Sequence, residues 1–210
     1  MRYTKNMKTY EPLIIPLNKP FEDLTNKEAK DYFDWYMDHI DERSEYLRNK
    51  VSAALSISID KLDYSLNSLI PVWKWFLGVA EIKNSFFLAN KIQNRALKKL
   101  FYKEGESPFS VFTQYVLRDI AMYISKVFTH NYSKVTPTFK TSPKNYVYVN
   151  EPLLIGFIDD NPEYPKPFHP DLNPQSLVEI CALSILDNTQ HENDLFNDCL
   201  RWVNWIPKES

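Results

Sequence analysis

The chain has 210 residues with 25 Lys and Arg against 27 Asp and Glu, a formal net charge of −2, and 44% hydrophobic residues. That balance excludes a disordered chain and sets a single globular domain as the expectation. Three glycines in the whole chain, Gly78, Gly105 and Gly156, exclude a phosphate-cradling loop, a dinucleotide fingerprint and a nucleophile elbow, all of which need glycine at fixed spacing.

The first twenty residues carry Pro12, Pro16 and Pro20 and read as part of an extended arm over residues 1–24, ahead of a globular domain over 25–210. Met1-Arg2-Tyr3-Thr4-Lys5 is basic but no apolar segment follows, which argues against a secretory signal, and no apolar run reaches the roughly 20 residues of a membrane span. The chain is therefore expected to be cytoplasmic and away from the membrane. Thr25-Asn26-Lys27-Glu28 is a capping box, and behind it Ala29, Phe33, Tyr36, Ile40, Leu47 and Val51 share one face, which predicts a helix from about Asn26 to about Ala54. Asp31, Asp34, Asp38 and Glu42 fall away from that face.

Asp60, Ser65 or Ser68 can each cap a turn before Pro71 and the aromatic run Val72-Trp73-Lys74-Trp75-Phe76-Leu77, with Gly78 as a stop. A helix is expected from Asn84 to Tyr102, and Ser107-Pro108 signals the start of another that keeps Phe109, Phe112, Val116, Ile120, Tyr123 and Val127 in a stripe to about Thr129. After residue 130 the pattern turns to strands at 136–141, 146–149 and 153–155, with Pro143 and Pro152 confining them to edges or breaks. Prolines 162, 165, 167, 170 and 174 mark a surface loop, Asn173-Pro174 opens a helix to about Leu186, and Asn193 opens the last, with Leu195, Cys199, Trp202 and Val203 inward. The fold class is α+β: a mainly helical single domain with a small antiparallel strand unit in the C-terminal half.

Charge is segregated along the chain. Residues 22–45 hold nine acids against three bases, residues 91–103 hold five bases and no acid, and residues 144–210 hold eleven acids against four bases. Lys91, Arg95, Lys99 and Lys103 recur every four residues, so they form a stripe that reads as a solvated face or as a partner of the acidic first helix rather than as a nucleic-acid footprint.

No arrangement of residues has the spacing of a catalytic or metal site. His39, His130, His169 and His191 belong to no zinc frame, and no Ser, His and Asp set has a local frame for a triad. No catalytic residue, metal ligand or cofactor is assigned. Cys181 and Cys199 read as buried thiols rather than a disulfide between neighbouring helices, which spacing alone cannot establish. Trp73, Trp75, Trp202 and Trp205 read as core anchors, and Arg118-Asp119 as a helix-borne ion pair or a link to the strand unit. Asp159, Asp160 and Glu163 lack the spacing of a calcium loop; on a proline-stiffened loop they present carboxylates to a basic partner, with Asp34, Asp38 and Glu42 of the first helix as a second set.

Two stretches, Arg118-Asp119-Ile120-Ala121-Met122-Tyr123-Ile124-Ser125-Lys126-Val127-Phe128 and Pro143 to Phe157 (PKNYVYVNEPLLIGF), together resemble a pattern in uncharacterised bacterial proteins, some of which are similar to immunity proteins of polymorphic-toxin systems. That pattern carries a Gly-Glu step where this chain has Ser125-Lys126, so no role for the glutamate transfers. The resemblance implies a toxin-neutralising protein; taken with the absent catalytic motifs, the segregated charge and the aromatic content, it sets the expectation of an immunity protein that blocks a protein partner by occlusion. Two other classes remain open from the sequence: a hydrolase or nucleic-acid-modifying enzyme with a site of scattered residues, and a self-associating structural or adaptor protein.

Overall fold

The computed structural model describes residues 10–83, 107–161, 163 and 166–208. Among them are five α-helices and two strands: α1 (Asn26–Leu55), α2 (Leu69–Val79), α3 (Val111–Asn131), β1 (Thr136–Phe139), β2 (Pro152–Ile155), α4 (Pro174–Ala182) and α5 (Asp194–Val203). The mainly helical α+β class expected from the sequence is the observed one.

The α1 helix begins where its capping box places it. Thr25 accepts from the Glu28 N–H, and the Glu28 carboxylate accepts from the Thr25 N–H at 2.8 Å, satisfying two otherwise orphan donors. Its buried face is Ala29, Tyr32, Tyr36, Ile40, Leu47 and Val51 with Arg43 and Ser44 between them. Phe33 sits beside that face, half-buried, with its ring 5.0 Å from that of Phe139 on β1. The α3 helix is the central one: twelve of its 21 residues are buried, from Thr113 to Phe128, and both α1 and α4 pack on it. A helix apolar on nearly every side has to be covered on nearly every side. The α2 helix closes the other flank, against α1 and α5, with Trp73 and Phe76 fully buried and stacked 4.7 Å apart.

Strands β1 and β2 pair antiparallel, Thr136 opposite Ile155 and Phe139 opposite Pro152. Both are edges, which is why Pro137 and Pro152 are tolerated. Leu154 adds a bridge to Leu172, with N–H to O distances of 2.8 and 2.9 Å, so the chain entering α4 leans on the sheet. Gly156 follows β2 at φ +113°, and a Cβ there would lie 2.1 Å from the Lys134 carbonyl oxygen. This close crossing is one place where the fold requires glycine.

Four expectations are corrected. Gly78 does not stop α2, which continues to Val79. Ser107-Pro108 does not open α3: Pro108 accepts from the Lys83 N–H at 2.8 Å in a bridge between Ile82 and Phe109, and Ser110 caps the helix by accepting from the Thr113 N–H at 3.1 Å. Residues 146–149 are not a strand, because Tyr146, Val149 and Glu151 send their N–H groups to the carbonyls of Pro143, Tyr146 and Tyr148, turn after turn. The α4 helix ends at Ala182 and continues only as a 3-10 turn over Leu183–Ile185. The helix expected over Asn84 to Tyr102, and with it the Lys91, Arg95, Lys99 and Lys103 stripe, lies outside the described residues. Among those described, no helix is long and apolar enough to cross a membrane.

Candidate partner-binding surface

The chain leaves β2 through Gly156 and the buried Phe157, and the Ile158 N–H then bonds the Trp205 carbonyl at 2.7 Å, tying it to the segment after α5. The next residue closes a loop. Asp159 and Phe168 exchange both backbone hydrogen bonds, at 2.8 and 2.9 Å. Inside the loop, the Asp159 carboxylate accepts from the Asn161 N–H and the Asn161 side-chain oxygen accepts from the Glu163 N–H, each at 3.1 Å. These are side-chain-to-backbone turns that set the chain path without help from a helix or sheet.

The three acids named from the sequence therefore divide. Asp159 is half-buried and engaged in the turn, whereas Asp160 and Glu163 are exposed and their carboxylates make no hydrogen bond or ion pair with a described residue. At the closing position, Phe168 is 60% exposed, between exposed Pro167 and His169. Sequence reasoning missed Phe168. Its only signal was a large ring in a proline-rich stretch with no apolar period to bury it.

On α1 the second acidic set lies at i, i+4 spacing along one outward stripe. Asp34 pairs with Lys30 at 2.5 Å, while Asp38 and Glu42 are exposed and unpaired among the described residues. Neighbouring Asp41 pairs with Lys126 at 2.7 Å and Glu45 with Arg48 at 2.5 Å. The loop is anchored beyond α5 and the stripe rides on the helix that covers α3. No hydrogen bond or ion pair among the described residues joins the two, so they are separate acidic patches.

Arg118 and Asp119 are not an ion pair. Asp119 pairs with Arg43 of α1, whose Nε and Nη2 reach its two oxygens at 3.1 and 2.5 Å, and the Tyr10 hydroxyl donates to Asp119 Oδ2. The same Nη2 donates to the Glu11 carbonyl at 2.9 Å, the Tyr46 ring lies 4.3 Å below the guanidinium, and the Glu11 N–H donates to the Tyr46 hydroxyl at 2.5 Å. Arg43 and Asp119 side chains are 6% and 1% exposed. Burial, and next the Asp119 charge, push the Tyr10 phenol well above its ordinary range, so it remains a donor. This network fastens the N-terminal arm to α1 and α3. It does not link α3 to the strand unit. Arg43 could be seen in the sequence as a base at a core position of the 36, 40, 43, 47, 51 spacing.

Cys181 and Cys199 are free and buried, and burial pushes both thiols far above their ordinary range, which removes the thiolate needed for nucleophilic chemistry. Among the described residues no three His, Cys, Asp or Glu side chains come together to hold a metal ion. No family model, curated protein or solved structure matches the chain.

Proposed function

We propose that this protein is a binding module that neutralises a cognate bacterial toxin by occluding it, an immunity protein acting in the cytoplasm. The observation that carries the reading is the loop closed between Asp159 and Phe168, which holds a 60% exposed aromatic ring beside two uncompensated carboxylates, Asp160 and Glu163. A ring prefixed on a tied loop gives contact area at little ordering cost, and unpaired carboxylates steer a basic partner and set its register. The unpaired Asp38 and Glu42 on α1 supply a second negative patch.

The test is co-expression with a toxin encoded beside this chain's gene. Growth rescue together with a stable complex on size exclusion supports the proposal. The double charge reversal Asp160→Lys, Glu163→Lys is expected to weaken the complex by tenfold or more, about 1.4 kcal/mol at the least. A toxin that is neutralised equally well by that variant and by Phe168→Ala rules out this loop as the binding surface.

A further inference from the structure

A cavity of 150 Å³ opens where the arm, α1, α3, β2 and α4 meet, walled by Phe21, Tyr32 and Tyr36 and carrying Arg118, Glu151 and Glu179. It lies apart from the Asp159–Phe168 loop, and its polar groups are only partly spent. The Arg118 guanidinium has one long hydrogen bond, to the Leu13 carbonyl at 3.4 Å, and rests 5.5 Å from the Tyr115 ring centre; no carboxylate among the described residues pairs with it. One Glu151 oxygen accepts from the Asn173 amide at 2.7 Å and the other has no hydrogen-bond partner among the described residues. Glu179, at the mouth, has one oxygen bonded to Gln175 at 2.6 Å.

Tyr32 is 5% exposed, packed by Phe21 at 5.1 Å and Trp35 at 5.5 Å between ring centres, yet its hydroxyl has no hydrogen-bond partner among the described residues. The hydroxyl oxygen is open to the cavity rather than sealed in the core, so it is free to meet a guest there. Arg118 and Glu151 line the same cavity and act on that hydroxyl electrostatically in opposite senses. Tyr36 is different: its hydroxyl meets Ser125 Oγ at 3.2 Å, and it serves only as wall.

We infer that this cavity binds a small zwitterion of the α-amino-acid class, its carboxylate on Arg118 and the Tyr32 hydroxyl and its ammonium on the free oxygens of Glu151 and Glu179. Each charge then meets its opposite in a partly dry site, where charge-assisted hydrogen bonds are strong. A lone amine would leave Arg118 unanswered, and a lone carboxylate would face two glutamates. Size agrees: a cavity of about 150 Å³ accepts a guest the size of benzene, which is close to the eight heavy atoms of valine and too little for a dipeptide.

Isothermal titration of the full chain tests this with three matched probes: L-valine, isobutylamine (valine without its carboxylate) and isovalerate (valine without its amine). Valine is expected to bind with a Kd below about 1 mM, and the two fragments at least about tenfold more weakly. Arg118→Gln should drop valine to the level of isobutylamine without changing isobutylamine itself. Glu151→Gln should drop it to the level of isovalerate. Tyr32→Phe keeps the ring packing and should cost valine about three- to tenfold through one hydrogen bond; it decides the matter if either charge variant fails to fold. No binding by any probe overturns the proposal, and so does isobutylamine binding as tightly as valine.

Discussion

Arg43, Asp119 and Tyr10 show how much a few side chains can decide. A buried ion pair gains little over an apolar pair of the same shape, but breaking one partner leaves the other charge stranded. Asp119→Asn is therefore expected to destabilise the fold by about 3–5 kcal/mol, since Arg43 stays 6% exposed with a neutral amide in front of it. Tyr10→Phe removes one hydrogen bond to a charged group and should cost about 1.5–3 kcal/mol. Urea titrations of both variants check the order; a Tyr10→Phe variant no weaker than wild type would mean the arm is held by ring packing alone. Glu151 predicts a pH effect. Burial, with Glu179 and Glu22 adding repulsion, raises its carboxyl above the ordinary 4.5, and the Asn173 amide opposes them only in part. A carboxyl raised in the folded state favours the unfolded chain once pH passes the unfolded value, so its destabilisation is absent well below about pH 4 and fully present near pH 7. Glu151→Gln, which keeps an acceptor for Asn173, should melt above wild type at about pH 7, and the gap should close by about pH 3. Melting curves at the two pH values give the answer directly; a gap independent of pH would refute it.

The helices α1, α3 and α4 each begin where a capping side chain accepts from a backbone N–H that has no partner within the helix. Asn173 accepts from the Ser176 N–H at 2.9 Å to start α4, and its amide also holds Glu151 at 2.7 Å, so one side chain fixes a helix end and the cavity's carboxylate together. Asn173→Ala should cost about 1 kcal/mol for the cap alone. Gly156→Ala should cost about 3 kcal/mol, because a methyl group 2.1 Å from the Lys134 carbonyl and a positive φ both count against it. If Gly156→Ala melts with wild type, the β2 exit is not the rigid crossing described here. Signals of this local kind are what the chain displays openly: the Thr25 capping box placed the start of α1, and its apolar period placed the core face. Competing local choices are harder to rank. Ser107-Pro108 carries a local start signal, but Pro108 and Phe109 are drawn into a long-range bridge with Ile82, and the cap falls to Ser110. Tyr146-Val147-Tyr148-Val149 has strand composition, but the backbone spends its donors on turns. The acids of the candidate surface were legible by charge. Phe168 and the cavity were not, since exposure of a ring and the meeting of Tyr32, Arg118 and Glu151 depend on which elements pack together.

Across the chain, a net charge of −2 conceals a segregation, with the excess acids of residues 22–45 and 144–210 on different elements. Asp38 and Glu42 on α1 and Asp160 and Glu163 on the loop stay exposed and unpaired among the described residues, so their field reaches into solvent. Exposed charges act over about 8–10 Å at ordinary ionic strength, which is enough to bias encounter and too little to hold a complex. Phe168, at 60% exposure, has the opposite profile: it has no long-range field but gains by leaving water on contact. Association with a basic toxin should therefore separate into two independent rates. Raising ionic strength from about 50 to 300 mM should slow association about tenfold or more and leave dissociation nearly unchanged. Phe168→Ala should do the reverse, speeding dissociation about tenfold while the salt dependence of association persists. Stopped-flow measurement on wild type and the variant separates the two effects. A salt-insensitive association rate would end the steering account even if Phe168 proves to be the anchor, because it would place the contact on apolar surface and leave the acidic patches as solvated faces.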